Sequence, residues 1–296
     1  MATPAQLPLP QPAPVRLALP KGRMQQGVLD LLAAAGVQIE TRARGYRPHV
    51  PLAGFEAKFL KPQNIVEMLA HGSRDVGFAG ADWVAELGAE LVALIDTGLD
   101  PVRLVAAAPR ALLADPQWRD RPLIVASEYE RLTRRWIARQ GLDARCVRTY
   151  GATEVFPPED ADLIVDNTAT GSTLAANDLQ VIDTLMDSAT GLYAHPAALA
   201  DPARRERIER LVVLLDSVLA ARSRALVEVN VPTDCLEAVI AALPCMREPT
   251  LAPLHGGGGF AVKAAVPRQR LAEVIPEIKA RGGTDVLVTA AEQIVP

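Results

Sequence analysis

The sequence predicts an α/β protein with a two-lobed body and a small C-terminal domain of βαββαβ order. Short apolar runs alternate with helical patterns over most of the chain, which is typical of parallel strands covered by helices on both faces. The pattern changes after Ser223. With 296 residues, 49% of them apolar, the chain is long enough for two or three compact units.

The first lobe is predicted over residues 15–104 together with 196–222. It opens on an apolar strand at 15–19, followed by a turn and a helical pattern over 24–35 that stops at Gly36. The second part is a long helix with one apolar stripe: Ile208, Leu211, Val212, Leu215, Val218 and Leu219.

The second lobe is predicted over residues 105–195. Apolar runs at 123–126, 145–149 and 163–165 indicate strands, and a helical pattern over 129–139 ends at Gly141. A cleft between two such lobes is the default ligand site of a body of this kind.

The last domain is predicted over residues 223–296. Its strands are expected at 225–231, 250–254, 261–266 and 285–288, and its helices at 234–243 and 269–280. A ferredoxin-like unit of this size is more often a regulatory or assembly module than a catalytic one.

Composition argues against several classes of protein. A net charge of -4 gives no general attraction to nucleic acid or to an anionic membrane. Residues 1–14 hold five prolines and no basic residue, so we expect a disordered extension rather than a secretory signal, and a cytoplasmic protein. No apolar run is long enough to span a membrane.

Cysteines and histidines give no sign of a metal site or of a disulfide framework. The three cysteines are Cys146, Cys235 and Cys245, which are far apart and outside any C-x-x-C pair, so buried or reduced thiols are expected. The four histidines lack the spacing of metal ligands and are taken as non-ligands: His49, His71, His195 and His255.

Residues 166–173 form the segment most indicative of chemistry. An apolar strand ends at Asp166, and the chain then turns through small hydroxyl residues around Gly171. Such a turn can present backbone N–H groups to a monophosphate, while Asp166 accepts hydrogen bonds from ribose hydroxyls. A turn that only caps the next element is the open alternative. Asp162 lies roughly 13 Å along the same strand, too far to share that ribose, and is expected to be structural or solvated.

Two other segments carry candidate residues. Lys21, Gly22 and Arg23 lie where a strand meets a helix, a usual place for anions, although surface cations are commonly just solvated. The same ambiguity holds for Arg47, Arg134 and Arg135. Residues 77–82 hold two glycines and Asp82, which allows close approach of a flat ligand or, alternatively, a tight turn with Asp82 as a helix cap.

Taken together, five segments resemble the ATP phosphoribosyltransferase family in order and in spacing. They are residues 19–23, 59–65, 77–82, 132–135 and 166–173. The tail, with Leu243-Pro244, Pro249-Thr250 and Pro253-Leu254, resembles the C-terminal domain of the long form of that family.

The resemblance implies the first step of histidine biosynthesis. N1 of ATP attacks C1 of phosphoribosyl pyrophosphate, and pyrophosphate leaves with inversion in a Mg²⁺-dependent reaction. It also implies a fold like type II periplasmic binding proteins, with Mg²⁺ held mainly by substrate phosphates. Inhibition by histidine at the last domain and a homo-oligomer, dimer to hexamer, are implied as well.

Residue roles follow by position from the same resemblance. The phosphoribosyl pyrophosphate loop would be Asp166, Asn167, Thr168, Ala169, Thr170, Gly171, Ser172 and Thr173, with Asp166 catalytic. The ATP side would hold Lys21, Gly22, Arg23, Arg47, Gly80, Ala81 and Asp82. Histidine would contact Thr250, together with Asn230 and Met246.

The sequence also departs from the family in two places. Asn167, Thr168 and Ala169 stand where an apolar pair and a serine are usual. His255 and the glycines 256–259 stand where acidic residues and a tryptophan are common.

Two rival functions remain open at this point. A two-lobed α/β body is also typical of a solute-binding or ligand-sensing protein, which predicts a secretory signal or a DNA-binding segment, and neither is visible. The other rival is a phosphoribosyltransferase that acts on a different base.

Overall fold

The computed structural model describes residues 13–40 and 45–295. The extension predicted over residues 1–14 therefore lies outside the described residues, apart from Ala13 and Pro14. The chain forms two compact units. The first contains Val37–Arg210 and the chain up to Asp30, and the second contains Leu31–Gly36 and the chain from Leu211 onward.

The first unit is a large sheet covered by helices. Its strands are β1 (Val15–Pro20), β2 (Phe55–Leu60), β3 (Val76–Gly80), β4 (Val92–Pro109), β5 (Leu123–Ser127), β6 (Ala144–Arg148), β7 (Leu163–Thr168) and β8 (Leu179–Ala194). Its helices are the start of α1 (Met24–Ala34), α2 (Pro62–Ala70), α3 (Ala81–Leu87), α4 (Arg110–Leu113), α5 (Glu130–Gln140), α6 (Ser172–Ala176), α7 (Pro196–Ala200) and the start of α8 (Pro202–Ser223).

The strand order of this sheet shows two lobes. The order is β2-β1-β3-β8-β4-β7-β5-β6. Strands β1, β2 and β3 are parallel to one another, as are β5, β6 and β7. The long strands β4 and β8 lie between these trios and pair antiparallel with each other. The predicted two-lobed fold is confirmed, with β4 and β8 running through both lobes.

These two long strands are not predicted by the apolar pattern of the sequence. That pattern predicts parallel sheets, whereas the structure has one mixed sheet whose antiparallel pairs all involve β4 or β8. Strand β4 is irregular where the chain passes between the lobes, with register shifts on both sides of Leu99. Gly98 and Asp100 there have φ of +63° and +48°. Shifts of this kind bend a strand, and they also hide its apolar pattern.

Apolar side chains in the second lobe hold β7 at a fixed depth. Leu163 and Val165 are buried against Trp136 of α5 on one face of the sheet, and Ile164 is buried in a second cluster on the other face. Burial of each such side chain contributes about 1.5 to 3 kcal/mol. The strand therefore delivers Asp166 and the loop after it to a defined place.

The second unit is an antiparallel sheet with two helices. Its elements are β9 (Arg224–Pro232), α9 (Leu236–Ile240), β10 (Thr250–Pro253), β11 (Gly259–Pro267), α10 (Leu271–Ala280) and β12 (Thr284–Thr289). The strand order is β10-β11-β9-β12, as expected for a ferredoxin-like βαββαβ unit. The helix predicted over 234–243 is shorter, because a 3₁₀ turn at Thr233–Cys235 precedes α9.

Alternation of buried and half-buried residues along β9 explains the second unit's core. Val227, Val229 and Val231 are buried against Val274 and Ile278 of α10.

The lobe and domain boundaries given above stay predictions. No helix among the described residues has the length and apolar character needed to cross a bilayer.

Candidate active site

The loop after β7 surrounds a cavity of about 330 Å³, here called the loop cavity. Gly171, with φ of +78°, precedes the short helix α6, and its N–H donates to Thr168 Oγ1 at 2.9 Å. Helical hydrogen bonding begins with the N–H of Ala175, which donates to Gly171 O. The N–H groups between these two residues therefore have no main-chain acceptor among the described residues. The cavity wall contains Arg23, Glu154, Asp166, Asn167, Thr168, Ala169, Thr170, Ser172, Thr173 and Leu174. Seven of the eight predicted loop residues therefore line one cavity.

Asp166 is a partly buried carboxylate with an unusual acidity. Burial raises its pKa to about 6, and the nearby carboxylates of Glu128 and Glu154 add to this, while the N–H of Asn167 acts in the opposite direction. The Asn167 N–H donates to Asp166 Oδ1 at 2.7 Å. A titratable group held in this way in a cleft is typical of functional sites.

A second cavity lies between the lobes and is here called the central cavity. Lys21, Arg23, Gly80 and Asp82 of the first lobe line it together with Asn167 of the second. Arg23 and Asn167 also line the loop cavity. The structure thus brings the predicted ATP-side and phosphoribosyl-side residues together.

A wider groove of about 580 Å³ adjoins the central cavity. The two share Val102, Ser188 and Ala189, so they form one continuous cleft. Two predicted residues line the groove, Ala81 from the ATP side and Ala169 from the loop. Apolar side chains dominate its wall, and they suit a flat base.

Asp82, in the first turn of α3, has its carboxylate held by hydroxyl groups. It is 5% exposed, and it accepts hydrogen bonds from Ser188 Oγ at 2.9 Å and from the Tyr129 hydroxyl at 2.6 Å. The cap of α3 is Gly80, without a side-chain cap bond, so the alternative of Asp82 as a helix cap is wrong. A Cβ at Gly80 would lie 2.2 Å from Asp82 Oδ1, which explains the glycine.

Three further predicted residues lie around the edge of the cleft. The Lys21 ammonium lies 3.6 Å from the centre of the Tyr46 ring, a cation–π contact. Gly22, with φ of +81°, makes the turn that joins Lys21 to Arg23. Arg47 is exposed in the neighbouring loop and lines neither the loop cavity nor the central cavity.

Several other candidates lie away from the cleft. Arg134 pairs with Glu130 on the surface of α5, and Arg135 is exposed. Asp162 accepts hydrogen bonds from Arg121 and from the Ile124 N–H, a structural role as predicted.

The predicted histidine contacts divide into two places in the second unit. Met246 and Thr250 line one cavity of about 290 Å³. Asn230 does not line it, and its side-chain amide donates instead to Asp285 Oδ2 at 3.1 Å.

Several residues of the cleft are not predicted from the sequence. Tyr129 and Ser188 contact Asp82, and Glu154 lines the loop cavity. Tyr129 follows the buried strand β5, and a search for polar residues just after each strand would have found it. Ser188 lies within a strand, 106 residues from Asp82, and nothing local indicates its role.

Comparison with known proteins gives the family. The family model described as HisG, ATP phosphoribosyltransferase, matches residues 61–217, and the model of the HisG C-terminal domain matches residues 221–293. An ATP phosphoribosyltransferase of Pelotomaculum thermopropionicum is 33% identical over 95% of this chain and 99% of its own. The ATP phosphoribosyltransferase of Desulforudis audaxviator is 35% identical over 95% of this chain and 99% of its own.

A solved structure agrees with this result. The ATP phosphoribosyl transferase (HisG:HisZ) complex from Thermotoga maritima contains a chain with a TM-score of 0.61 and 26% identity. The match covers 69% of the present chain and 98% of that chain. With one model on the cleft-forming body and another on the βαββαβ unit, the chain belongs to the ATP phosphoribosyltransferase family in its long form.

Proposed function

We propose that the interlobe cleft joins ATP to phosphoribosyl pyrophosphate with the roles given below for its residues. The family reaction forms a bond between N1 of the adenine ring and C1 of the ribose. The bond from C1 to the pyrophosphate oxygen breaks, and pyrophosphate takes the electron pair. The observation that carries the assignment is that Arg23 and Asn167 line both the loop cavity and the central cavity.

The loop cavity is proposed to bind the 5'-phosphate and the ribose. Hydroxyls of Thr170, Ser172 and Thr173 line it, and the N–H groups at the start of α6 precede the first helical hydrogen bond. These groups are donors, which an anion requires. Asp166 lines the same cavity and is proposed to accept hydrogen bonds from the ribose hydroxyls.

The other lobe is proposed to hold the nucleotide. Lys21 and Arg23 provide the positive charge of the central cavity, which suits pyrophosphate or the phosphates of ATP. The adjoining groove, with Ala81 and Tyr193 in its wall, is proposed to take the adenine base. The two substrates would then meet in the central cavity.

Mg²⁺ is proposed to be held mainly by substrate phosphates. No group of three or more His, Cys, Asp or Glu residues suited to a metal occurs in the described part of the chain. Asp100 lines the central cavity, and its Oδ2 accepts a hydrogen bond from Thr190 Oγ1. Its Oδ1 is left as an oxygen ligand of the kind that Mg²⁺ prefers. When bound, Mg²⁺ neutralises charge on the leaving pyrophosphate.

The cleft needs no protein nucleophile for this reaction. Positive charge develops on the ribose as pyrophosphate leaves, and a carboxylate near the ring stabilises that charge. Asp166 meets this requirement when it is ionised. The two lobes hold N1 and C1 close together, which removes much of the entropic barrier.

The test is an assay with a panel of acceptors. The protein is incubated with phosphoribosyl pyrophosphate and Mg²⁺, and with ATP, adenine, guanine, orotate or nicotinate in turn. We expect pyrophosphate release and the absorbance of phosphoribosyl-ATP with ATP alone. Turnover of a free base, or binding without turnover, would contradict the proposal.

Regulation and assembly are proposed on the same family basis. Histidine is proposed to inhibit at the cavity that contains Met246 and Thr250. A homo-oligomer, dimer to hexamer, is proposed for the protein. Light scattering with and without histidine tests it, and a monomer under both conditions would refute it.

A further inference from the structure

Tyr129 joins the two lobes through a single buried hydroxyl group. The residue is 0% exposed, and its ring stacks on Trp83 with centroids 4.7 Å apart. Its hydroxyl lies 2.6 Å from Asp82 Oδ2 and 2.8 Å from Asn167 Nδ2. Asp82 belongs to the first lobe, and Asn167 lies near the end of β7 in the second.

Hydrogen-bond chemistry fixes the direction of this chain of contacts. An ionised carboxylate only accepts, so the one proton of the Tyr129 hydroxyl goes to Asp82. The phenol oxygen must then accept from the Asn167 amide nitrogen. This assigns the orientation of the Asn167 carboxamide, because the reverse orientation would place two acceptors together.

The same orientation leaves the Asn167 carbonyl oxygen for a ligand. That oxygen makes no hydrogen bond to residues 13–40 or 45–295. Asn167 lines both the loop cavity and the central cavity, so a ligand in either one can contact its side chain. An apolar residue, usual in the family at this position, would have no such role.

Asp82 has little freedom at the other end of the chain. Ser188 Oγ donates to its Oδ1 at 2.9 Å and accepts its backbone N–H at 3.0 Å. With Oδ2 committed to Tyr129, both carboxylate oxygens have fixed partners. A change in Tyr129 therefore alters the position of Asp82 in the wall of the central cavity.

We propose that Asn167 and Tyr129 are positioning residues that couple phosphoribosyl binding in the loop cavity to nucleotide binding in the central cavity. This inference rests on the function proposed above for the cleft. A ligand that fixes the Asn167 carboxamide also fixes the hydroxyl of Tyr129 and, through it, Asp82. The second ligand then meets a site that is already ordered, so its affinity rises.

The test measures the Kd of ATP with Mg²⁺, in the absence and in the presence of saturating ribose 5-phosphate. Ribose 5-phosphate carries the phosphate and ribose that the loop cavity is proposed to bind but has no pyrophosphate to release, so no reaction follows. The ratio of the two Kd values is the coupling. For the natural protein we expect a ratio of about ten, within the usual range for coupled sites.

Two variants break the chain of hydrogen bonds at different points. Asn167→Leu removes the donor to Tyr129 and keeps the Tyr129–Asp82 bond. Tyr129→Phe removes both bonds and keeps the stack on Trp83. In each we expect a ratio within about twofold of one, whatever the change in the Kd of each ligand alone. Tyr150→Phe makes the same chemical change on a phenol that is 84% exposed, and it should keep the natural ratio.

Three results would overturn the inference. The first is a ratio of the two Kd values near one in the natural protein. The second and third are a ratio in Asn167→Leu, or in Tyr129→Phe, that equals the ratio of the natural protein. Should one variant fail to fold, the other decides. The acceptor assay on the natural protein separates this failure from a failure of the proposed function. If phosphoribosyl-ATP forms and the ratio survives in the variants, only the coupling is wrong.

Discussion

The carboxylate of Asp166 accepts the backbone N–H of its neighbour Asn167 at 2.7 Å, within the wall of the loop cavity. This bond favours the ionised form, but burial and the carboxylates of Glu128 and Glu154 outweigh it and raise the pKa to about 6. Ionised Asp166 is therefore disfavoured in the folded protein relative to the unfolded chain.

The first prediction concerns Asp166→Asn and its dependence on pH. Because the folded pKa is raised from 3.8, ionisation of Asp166 lowers stability as pH rises from about 4 through about 6. We expect Asp166→Asn to be more stable than the natural protein at pH 8, by on the order of 1 to 3 kcal/mol. The difference should shrink as pH falls through this range.

Denaturant unfolding at several pH values measures this difference. In parallel, kcat/KM for phosphoribosyl pyrophosphate of the natural protein should fall as pH drops through about 6, since only the ionised carboxylate accepts from both ribose hydroxyls. A variant that is less stable at every pH would contradict the account of Asp166.

The second prediction compares two glycines with left-handed backbone. Gly171 and Gly141 have φ of +78° and +64°, and a Cβ on either would meet nothing within 4 Å. Gly171→Ala and Gly141→Ala should each lower the free energy of unfolding by about 1 to 2 kcal/mol. Only Gly171→Ala should also raise KM for phosphoribosyl pyrophosphate, because Gly171 shapes the loop. Equal KM values in the two variants would show that the loop does not bind the phosphate.

The third prediction concerns a contact between helices of the two lobes. Glu86 of α3 is 8% exposed and accepts the N–H groups of Arg131 and Leu132, at 2.8 and 2.9 Å, in the first turn of α5. Glu86→Ala leaves both donors unpaired and should lower the free energy of unfolding by about 2 kcal/mol. Glu130→Ala, which removes an exposed pair with Arg134, should cost less than about 0.5 kcal/mol. Similar losses in the two variants would rule out this role for Glu86.

The fourth prediction concerns regulation. If histidine binds at the cavity of Met246 and Thr250, Thr250→Ala should raise the histidine concentration for half inhibition at least about threefold, as expected for one lost hydrogen bond. Thr289→Ala, an exposed change on β12, serves as the control. Unchanged inhibition in Thr250→Ala would place the histidine site elsewhere.

Much of the fold follows from local patterns in the sequence. The strand and turn at 163–171 and the βαββαβ order were predicted because their apolar periods are uninterrupted and end at glycine or proline. Strands β4 and β8 were missed because their middle sections join the lobes. There Asp96, Gly98 and Pro101 interrupt the apolar pattern that a covered strand would show.

The candidate site was predictable to a smaller extent. Residues at strand ends, such as Asp166 and Lys21, were found because glycine and charge mark the turns there. Tyr129 and Ser188 were missed because their contacts with Asp82 span 47 and 106 residues of sequence. Only the folded chain brings these groups together.

The most direct test of the account is the kcat/KM of two aspartate variants with ATP, phosphoribosyl pyrophosphate and Mg²⁺. Asp166 lines the loop cavity, whereas Asp162 is bonded to Arg121 and to the Ile124 N–H. We predict that Asp166→Ala lowers kcat/KM more than about tenfold, the loss expected from a hydrogen bond to a carboxylate. The kcat/KM of folded Asp162→Ala should stay within about threefold of that of the natural protein. A natural kcat/KM in Asp166→Ala would contradict the proposed role of the loop.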